Sequence, residues 1–307
     1  MAILGAHQSI AGGHHKAVER AAAVGCDCVQ LFTGNPRSFG GPQEELRFGR
    51  FLAKKNNQWR AVPITAQQAE RFCSALRACG IGRPLAHDSY LINLASPDED
   101  LWRKSIAAFV HELERAETLG IPFVVTHPGS YTTGTPRAGI RRIVRALNQI
   151  HKATRGMAAQ CLLETTAGQG TALGWRFEHL AMILDGVKEP ERLGVCFDTC
   201  HAFAAGYPLA GRQQYEDTMA ALDAAVGLWR VKAFHLNDSA REFGSRVDRH
   251  AHIGRGKLGL EPFRLLLADE RFQAIPMYLE TPKGQEHGVD LDVINLQTLR
   301  RLAGDAG

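Results

Sequence analysis

The chain has 307 residues, with 36 Lys plus Arg against 32 Asp plus Glu and a net charge of +4. That excess is too small to argue nucleic-acid binding from net charge, so a charged partner has to be recognised by local sites. No apolar run approaches the roughly 20 residues that cross a bilayer, and Met1-Ala-Ile-Leu-Gly5 lacks a basic leader, so the expectation is a soluble, unprocessed cytoplasmic protein.

Taken in order, Ile3 to His7 reads as a strand, Gly12-Gly13 opens a helix to about Val24, and Cys28 to Phe32 reads as a second strand. After Pro63 a helix is expected from Thr65 to Ala78, then a short strand from Pro84 to Ala86 and a long amphipathic helix from Pro97 to Leu119. The alternation continues with strand Phe123 to Thr126, helix Arg137 to Thr154, strand Cys161 to Glu164 and helix Phe177 to Leu184. Strand Val195 to Asp198, helix Tyr215 to Leu228, strand Val231 to His235, helix Glu261 to Leu267, strand Pro276 to Glu280 and a last helix to Leu302 complete it. Eight strand-then-helix units imply a parallel sheet that closes into a (β/α)₈ TIM barrel, and residues 1–307 read as one domain. The seven Cys form an odd set with no CxxC pair; five of them lie in apolar or strand-like surroundings, and they read as buried free thiols in a reducing cytosol.

The residues that end six consecutive strands are His87, His127, Glu164, Asp198, His235 and Glu280. Any one of them fits an ordinary hydrogen-bonded rim residue, but six metal-capable side chains in succession fit a site on the C-terminal rim, where such barrels place their chemistry. Asp198 and His201 leave one strand end in different directions, which suits two ions side by side better than one ion gripped by both. After the seventh strand, Asp248-Arg-His250 in extended chain would point two more donors to one side, completing a set with His201. Four clustered carboxylates would repel one another without cations. Three divalent ions would leave a surplus of two positive charges for a hydroxide and a phosphodiester to cancel, and five imidazoles favour zinc over magnesium or calcium.

These motifs carry a resemblance over nearly the whole chain. Gly5-Ala-His7, His87-Asp-Ser-Tyr-Leu-Ile-Asn93, His127-Pro-Gly129, Glu164-Thr-Thr-Ala-Gly-Gln-Gly170, Asp198-Thr-Cys-His-Ala-Phe-Ala-Ala-Gly206, His235-Leu-Asn-Asp238, Gly244-Ser-Arg-Val-Asp-Arg-His250 and Leu279-Glu-Thr-Pro282 resemble the endonuclease IV family of apurinic/apyrimidinic DNA-repair endonucleases. The resemblance implies three zinc ions: His87, His127 and Glu164 on the first; Glu164 as a bridge, Asp198, His235 and Glu280 on the second; His201, Asp248 and His250 on the third. It implies hydrolysis of the phosphodiester 5′ to abasic sites in double-stranded DNA, with 3′-end trimming. A hydroxide shared by the first two zincs would attack, with Glu164 and Glu280 in catalytic positions and the third zinc on the leaving oxygen. A monomer is expected on the same basis.

Tyr90 and Leu91 match positions that push into the duplex, Arg249 would meet phosphate, and His7 and Gln169 would orient ligands or water. The sequence departs from the family at Thr165, usually Asn, at Arg255, commonly acidic, and by an insertion of about 20 residues near 34–54. The family's DNA-inserting Arg then aligns with Asn57, or its role passes to Arg37. Two other readings share part of the pattern: a xylose-isomerase-like sugar isomerase or epimerase, and a DNA-damage binder with weakened catalysis.

Overall fold

The computed structural model describes residues 2–34 and 63–304. The 34–54 insertion, apart from Gly34, together with Arg37 and Asn57, lies outside the described residues. Eight parallel strands form a closed barrel in sequential order: β1 Leu4–His7, β2 Cys28–Phe32, β3 Gly82–His87, β4 Phe123–Thr126, β5 Gln160–Glu164, β6 Leu193–Asp198, β7 Val231–His235 and β8 Met277–Leu279. Around them run α1 His14–Ala23, α2 Ala66–Cys79, α3 Glu99–Leu119, α4 Pro136–Ala153, α5 Phe177–Gly186, α6 Thr199–Ala205, α7 Arg212–Val226, α8 Glu261–Ala268 and α9 Leu291–Gly304.

Local chemistry sets the helix ends. Thr65 and Gln68 make a reciprocal capping box at α2, while the side chains of Asp98 and Thr135 accept amides at the starts of α3 and α4. Gly80 and Gly120 end α2 and α3 in the left-handed conformation. The helix expected from Pro97 starts only at Glu99, because Asp98 is the cap, and β3 is longer than Pro84 to Ala86 because Gly82 joins the ladder to Cys28.

Strand alternation divides the apolar residues into two cores. Cys28, Leu85, Val125, Leu162, Cys196, Ala233 and Tyr278 fill the barrel, whereas Val29, Leu31, Val124, Leu163, Val195 and Phe234 belong to the core shared with the helices. Gly5 permits the β1–β2 approach, since a Cβ there would collide with the Cys28 carbonyl. Five Cys are buried free thiols, and Cys73 and Cys79, on the outer helix α2, are free and partly covered. Among the described residues no helix is long and apolar enough to cross a membrane.

Candidate metal centre

The C-terminal rim gathers the side chains that sequence alternation aimed there. His87, Glu164, Asp198 and His235 are the last residues of β3, β5, β6 and β7; His127 and Glu280 follow β4 and β8 directly. Asp248 and His250 arrive from the loop after β7. A two-residue ribbon pairs Ser239 with His250 and pins that loop beside the barrel mouth. The Gln169 side-chain oxygen accepts the Asp248 amide at 3.1 Å, Arg246 N donates to Ala204 O at 2.9 Å, and the Arg246 guanidinium stacks 3.8 Å from the Trp175 ring centroid. Asp238, fully buried, accepts the amides of Gly256 and Leu258, each at 2.9 Å. A Cβ at Gly256 would collide with that carboxylate, so only glycine fits.

Three sets of donor atoms, each within 4.8 Å of one another, result: His87, His127 and Glu164; Glu164, Asp198, His235 and Glu280; His201, Asp248 and His250. The nine residues expected from the sequence thus come together in the sets the resemblance implied. Glu164 joins two of them. Its Oε2 lies 3.2 Å from His87 Nε2 and 3.1 Å from His127 Nε2, and its Oε1 lies 2.8 Å from His235 Nδ1. In the third set Asp248 Oδ2 is 3.2 Å from His201 Nε2 and Oδ1 is 3.3 Å from His250 Nε2. Cys200 Sγ approaches Asp198 and His250 closely enough to form a further donor group, which the sequence reading did not include.

Charge in this buried mouth is strongly coupled. Burial alone would raise the Glu164 carboxyl, but His235 and His127 hold it well below the usual carboxylate range. Burial would likewise lower His201, whereas Asp198 and Asp248 hold it well above its ordinary value. His87 is pushed up to about 9 by Glu164 against its own desolvation, and Glu280 is held at about 2 by His235 against the same effect. Without cations the site therefore balances its carboxylates with imidazolium protons. A donor set of five imidazoles and four carboxylates fits zinc, which would replace those protons.

The remaining expected residues differ in placement. Tyr90 and Leu91 form the turn after β3, with Tyr90 76% exposed and its ring 5.9 Å from Phe32 and 6.3 Å from His87. Arg249 is exposed at the rim, bonded to its neighbour's carbonyl, and pairs with no carboxylate among the described residues. His7 lies beside Glu280 at 3.9 Å, and burial pushes it down to about 3, so its ring is neutral. Thr165 bonds Asp198 N through its hydroxyl at 2.9 Å and His201 Nδ1 through its carbonyl at 2.8 Å. Arg255 makes a two-pronged pair with Glu286 at 3.0 and 2.6 Å, away from the donor sets. Two contacting residues escaped the sequence reading: Asn237, whose Nδ2 donates to Asp198 Oδ2 at 2.7 Å, and Gln30, fully buried on β2 between His7, His235 and Glu280. The signal for Gln30 was a polar residue at an inward position of an otherwise apolar strand.

A family model described as a xylose isomerase-like TIM barrel matches residues 18–301. The "Probable endonuclease 4" of Trichlorobacter lovleyi is 48% identical over 299 residues, covering 97% of this chain and 99% of the relative. That of Chloroflexus aurantiacus is 48% identical over 302 residues, covering 98% of each. Endonuclease IV from Thermus thermophilus superposes with a TM-score of 0.79 at 38% identity, covering 98% of this chain and 99% of that one. D-psicose 3-epimerase from Clostridium cellulolyticum, at 16% identity and a TM-score of 0.61, covers 99% of this chain and 96% of its own and shares the fold alone. With this much identity across the length of its relatives, the chain belongs to the endonuclease IV family, within the xylose isomerase-like TIM barrels.

Proposed function

We propose that this chain is a zinc-dependent DNA-repair endonuclease that hydrolyses the phosphodiester 5′ to abasic sites in duplex DNA, leaving a 3′-hydroxyl and a 5′ deoxyribose phosphate, and that it also trims blocked 3′ ends. The observation that carries this reading is the trio of donor sets on one rim, two of them joined through Glu164. His87, His127 and Glu164 hold one zinc, Glu164, Asp198, His235 and Glu280 a second, and His201, Asp248 and His250 a third. Zinc at such positions supplies Lewis acidity for a phosphodiester and activates water at neutral pH.

The chain's own residues account for the rest. Asn237 donates to the Asp198 carboxylate, while Thr165 and Gln169 accept the amides of Asp198 and Asp248, and these bonds keep the donor sets in place before DNA arrives. Tyr90 and Leu91, on a turn held against His87, enter the duplex at the damaged position. A nucleotide without a base is the least costly to displace, which gives the preference for abasic sites. Arg249, between two ligands and without a carboxylate partner among the described residues, meets a backbone phosphate. Since one chain supplies all nine donors, a monomer is competent.

The third donor set and the long identity to proteins named as endonucleases favour this reading over a sugar epimerase of the same fold. The test is to incubate purified protein with a duplex carrying one abasic-site analogue and with an intact duplex, mapping the product ends. Selective nicking with a 3′-hydroxyl supports the proposal; epimerisation of ketohexoses without nicking overturns it.

A further inference from the structure

The imidazoles of the site are not all turned the same way. His87, His201 and His250 direct Nδ1 at backbone carbonyls, those of Asp88 at 2.9 Å, Thr165 at 2.8 Å and Glu280 at 3.2 Å. A carbonyl only accepts, so Nδ1 carries the hydrogen and Nε2 is left for the donor set. His235 is reversed. Its Nδ1 faces Glu164 Oε1 at 2.8 Å and Glu280 Oε2 at 3.2 Å, while its Nε2 meets Gln30 Oε1 at 2.7 Å. No backbone carbonyl orients this ring among the described residues; a side-chain amide takes that place.

Chemistry settles which end of that amide faces which partner. Gln30 Nε2 lies 2.5 Å from Glu280 Oε1, and an ionised carboxylate can only accept, so the NH₂ group must be there. The amide oxygen is then left for His235, whose Nε2 must donate. The second hydrogen of the NH₂ group goes to His7 Nδ1, 3.0 Å away. Gln30 is fully buried, so each of these bonds forms without competing water. The strand places it there: Cys28 points into the barrel, and two residues on, Gln30 occupies the next inward level toward the rim.

We propose that Gln30 is a positioning residue for the second donor set. Its carboxamide imposes on His235 the Nε2–H tautomer that leaves Nδ1 as the metal donor, and it holds Glu280 by Oε1 so that Oε2 is presented to the same set. The inference rests on reading that set as a zinc site. One amide thereby fixes two of four donors, and losing such a partner weakens metal affinity by about 10–100-fold.

The test compares Gln30→Leu, which removes all three bonds while filling the space, with Gln30→Glu, which keeps an oxygen for His235. Zinc affinity is read by chelator competition, and the His235 tautomer by long-range ¹H–¹⁵N correlation spectra. The expected result is that Gln30→Leu binds two zincs as wild type does and the remaining one about 10–100-fold more weakly. Its His235 Nε2–H, released from the amide oxygen, should shift in these spectra, while Gln30→Glu retains the wild-type signal. If Gln30→Leu does not fold, Gln30→Asn, one methylene too short to span His235 and Glu280, carries the zinc measurement. A folded variant lacking the bonds, with unchanged zinc affinity and an unchanged His235 spectrum, overturns the role. Wild-type protein that binds three zincs and fails to nick abasic DNA overturns the proposed function and leaves the role of Gln30 standing.

Discussion

The backbone amide of His201 donates to Oδ1 of Asp198 at 2.7 Å, so the carboxylate of one donor set caps the helix that carries a ligand of the next. Cap and ligand can be separated. Asn caps a helix about as well as Asp, whereas Ala costs about 1 kcal/mol. Asp198→Asn should therefore leave the metal-free melting transition close to wild type and still lower the bound zinc by one per chain; Asp198→Ala should lower both. Full zinc content in the Asn variant would show that Asp198 is not a ligand.

Chelator-treated protein should lose nicking activity, regain it with zinc, and contain three zincs per chain by elemental analysis. Magnesium alone should not restore it, because a hard octahedral ion is poorly matched to a set rich in imidazole. Full activity in magnesium after verified zinc removal would contradict the assignment.

Zinc uptake should depend on pH in a definite direction. Against its burial, Glu164 raises His87 from 6.5 to about 9 in the metal-free protein. The stability this contributes is fully present below pH 6.5 and is lost as pH rises through about 9. Zinc requires the neutral ring, so affinity should rise across that window, with proton release that fades above it. Calorimetry in buffers of different ionisation enthalpy measures the release; an affinity flat over the window would contradict the pairing.

The 34–54 insertion carries Arg37, Arg47, Arg50 and Lys54 against Glu44 and Glu45, a local +2 from four cations and two anions. Its root is anchored beside the barrel. The Thr33 carbonyl accepts from Arg115 at 2.8 Å and lies 2.9 Å from His14 Nε2, and its hydroxyl donates to Glu112 on α3. Replacing the insertion with a short family-like loop should weaken DNA binding. It should also flatten the slope of log K against log salt by roughly 0.9 for each phosphate no longer neutralised, while cleavage at saturating DNA changes less. Unchanged affinity and salt slope would mark the insertion as decoration.

The sequence showed the barrel and its rim because strand alternation and strand ends are local: Asp198 and His235 could be counted to the rim without knowing any contact. What it hid was long-range. Gln30 reaches His235 across 205 positions of chain, and Asn237 reaches Asp198 across 39. No spacing rule links such pairs; only the closure of β1 on β8 and the side-by-side order of β6 and β7 bring them together. The family departures at Thr165 and Arg255 likewise acquire their roles only from contacts made in the fold. The first turned out to support two ligand residues, and the second to close a surface ion pair.

Glu280→Gln tests the metal centre most directly. Glu280 belongs to the donor set that Glu164 joins to its neighbour, and it is remote in the chain from the Tyr90 turn and from the insertion. Single-turnover cleavage of a duplex carrying one abasic-site analogue, measured with binding to the same duplex, should show a rate lower by two to four orders of magnitude, about 3 to 5 kcal/mol, with affinity within a few fold of wild type. A variant that cleaves at more than about a tenth of the wild-type rate, a loss of under about 1.4 kcal/mol, would contradict the assignment of this rim as the catalytic metal centre.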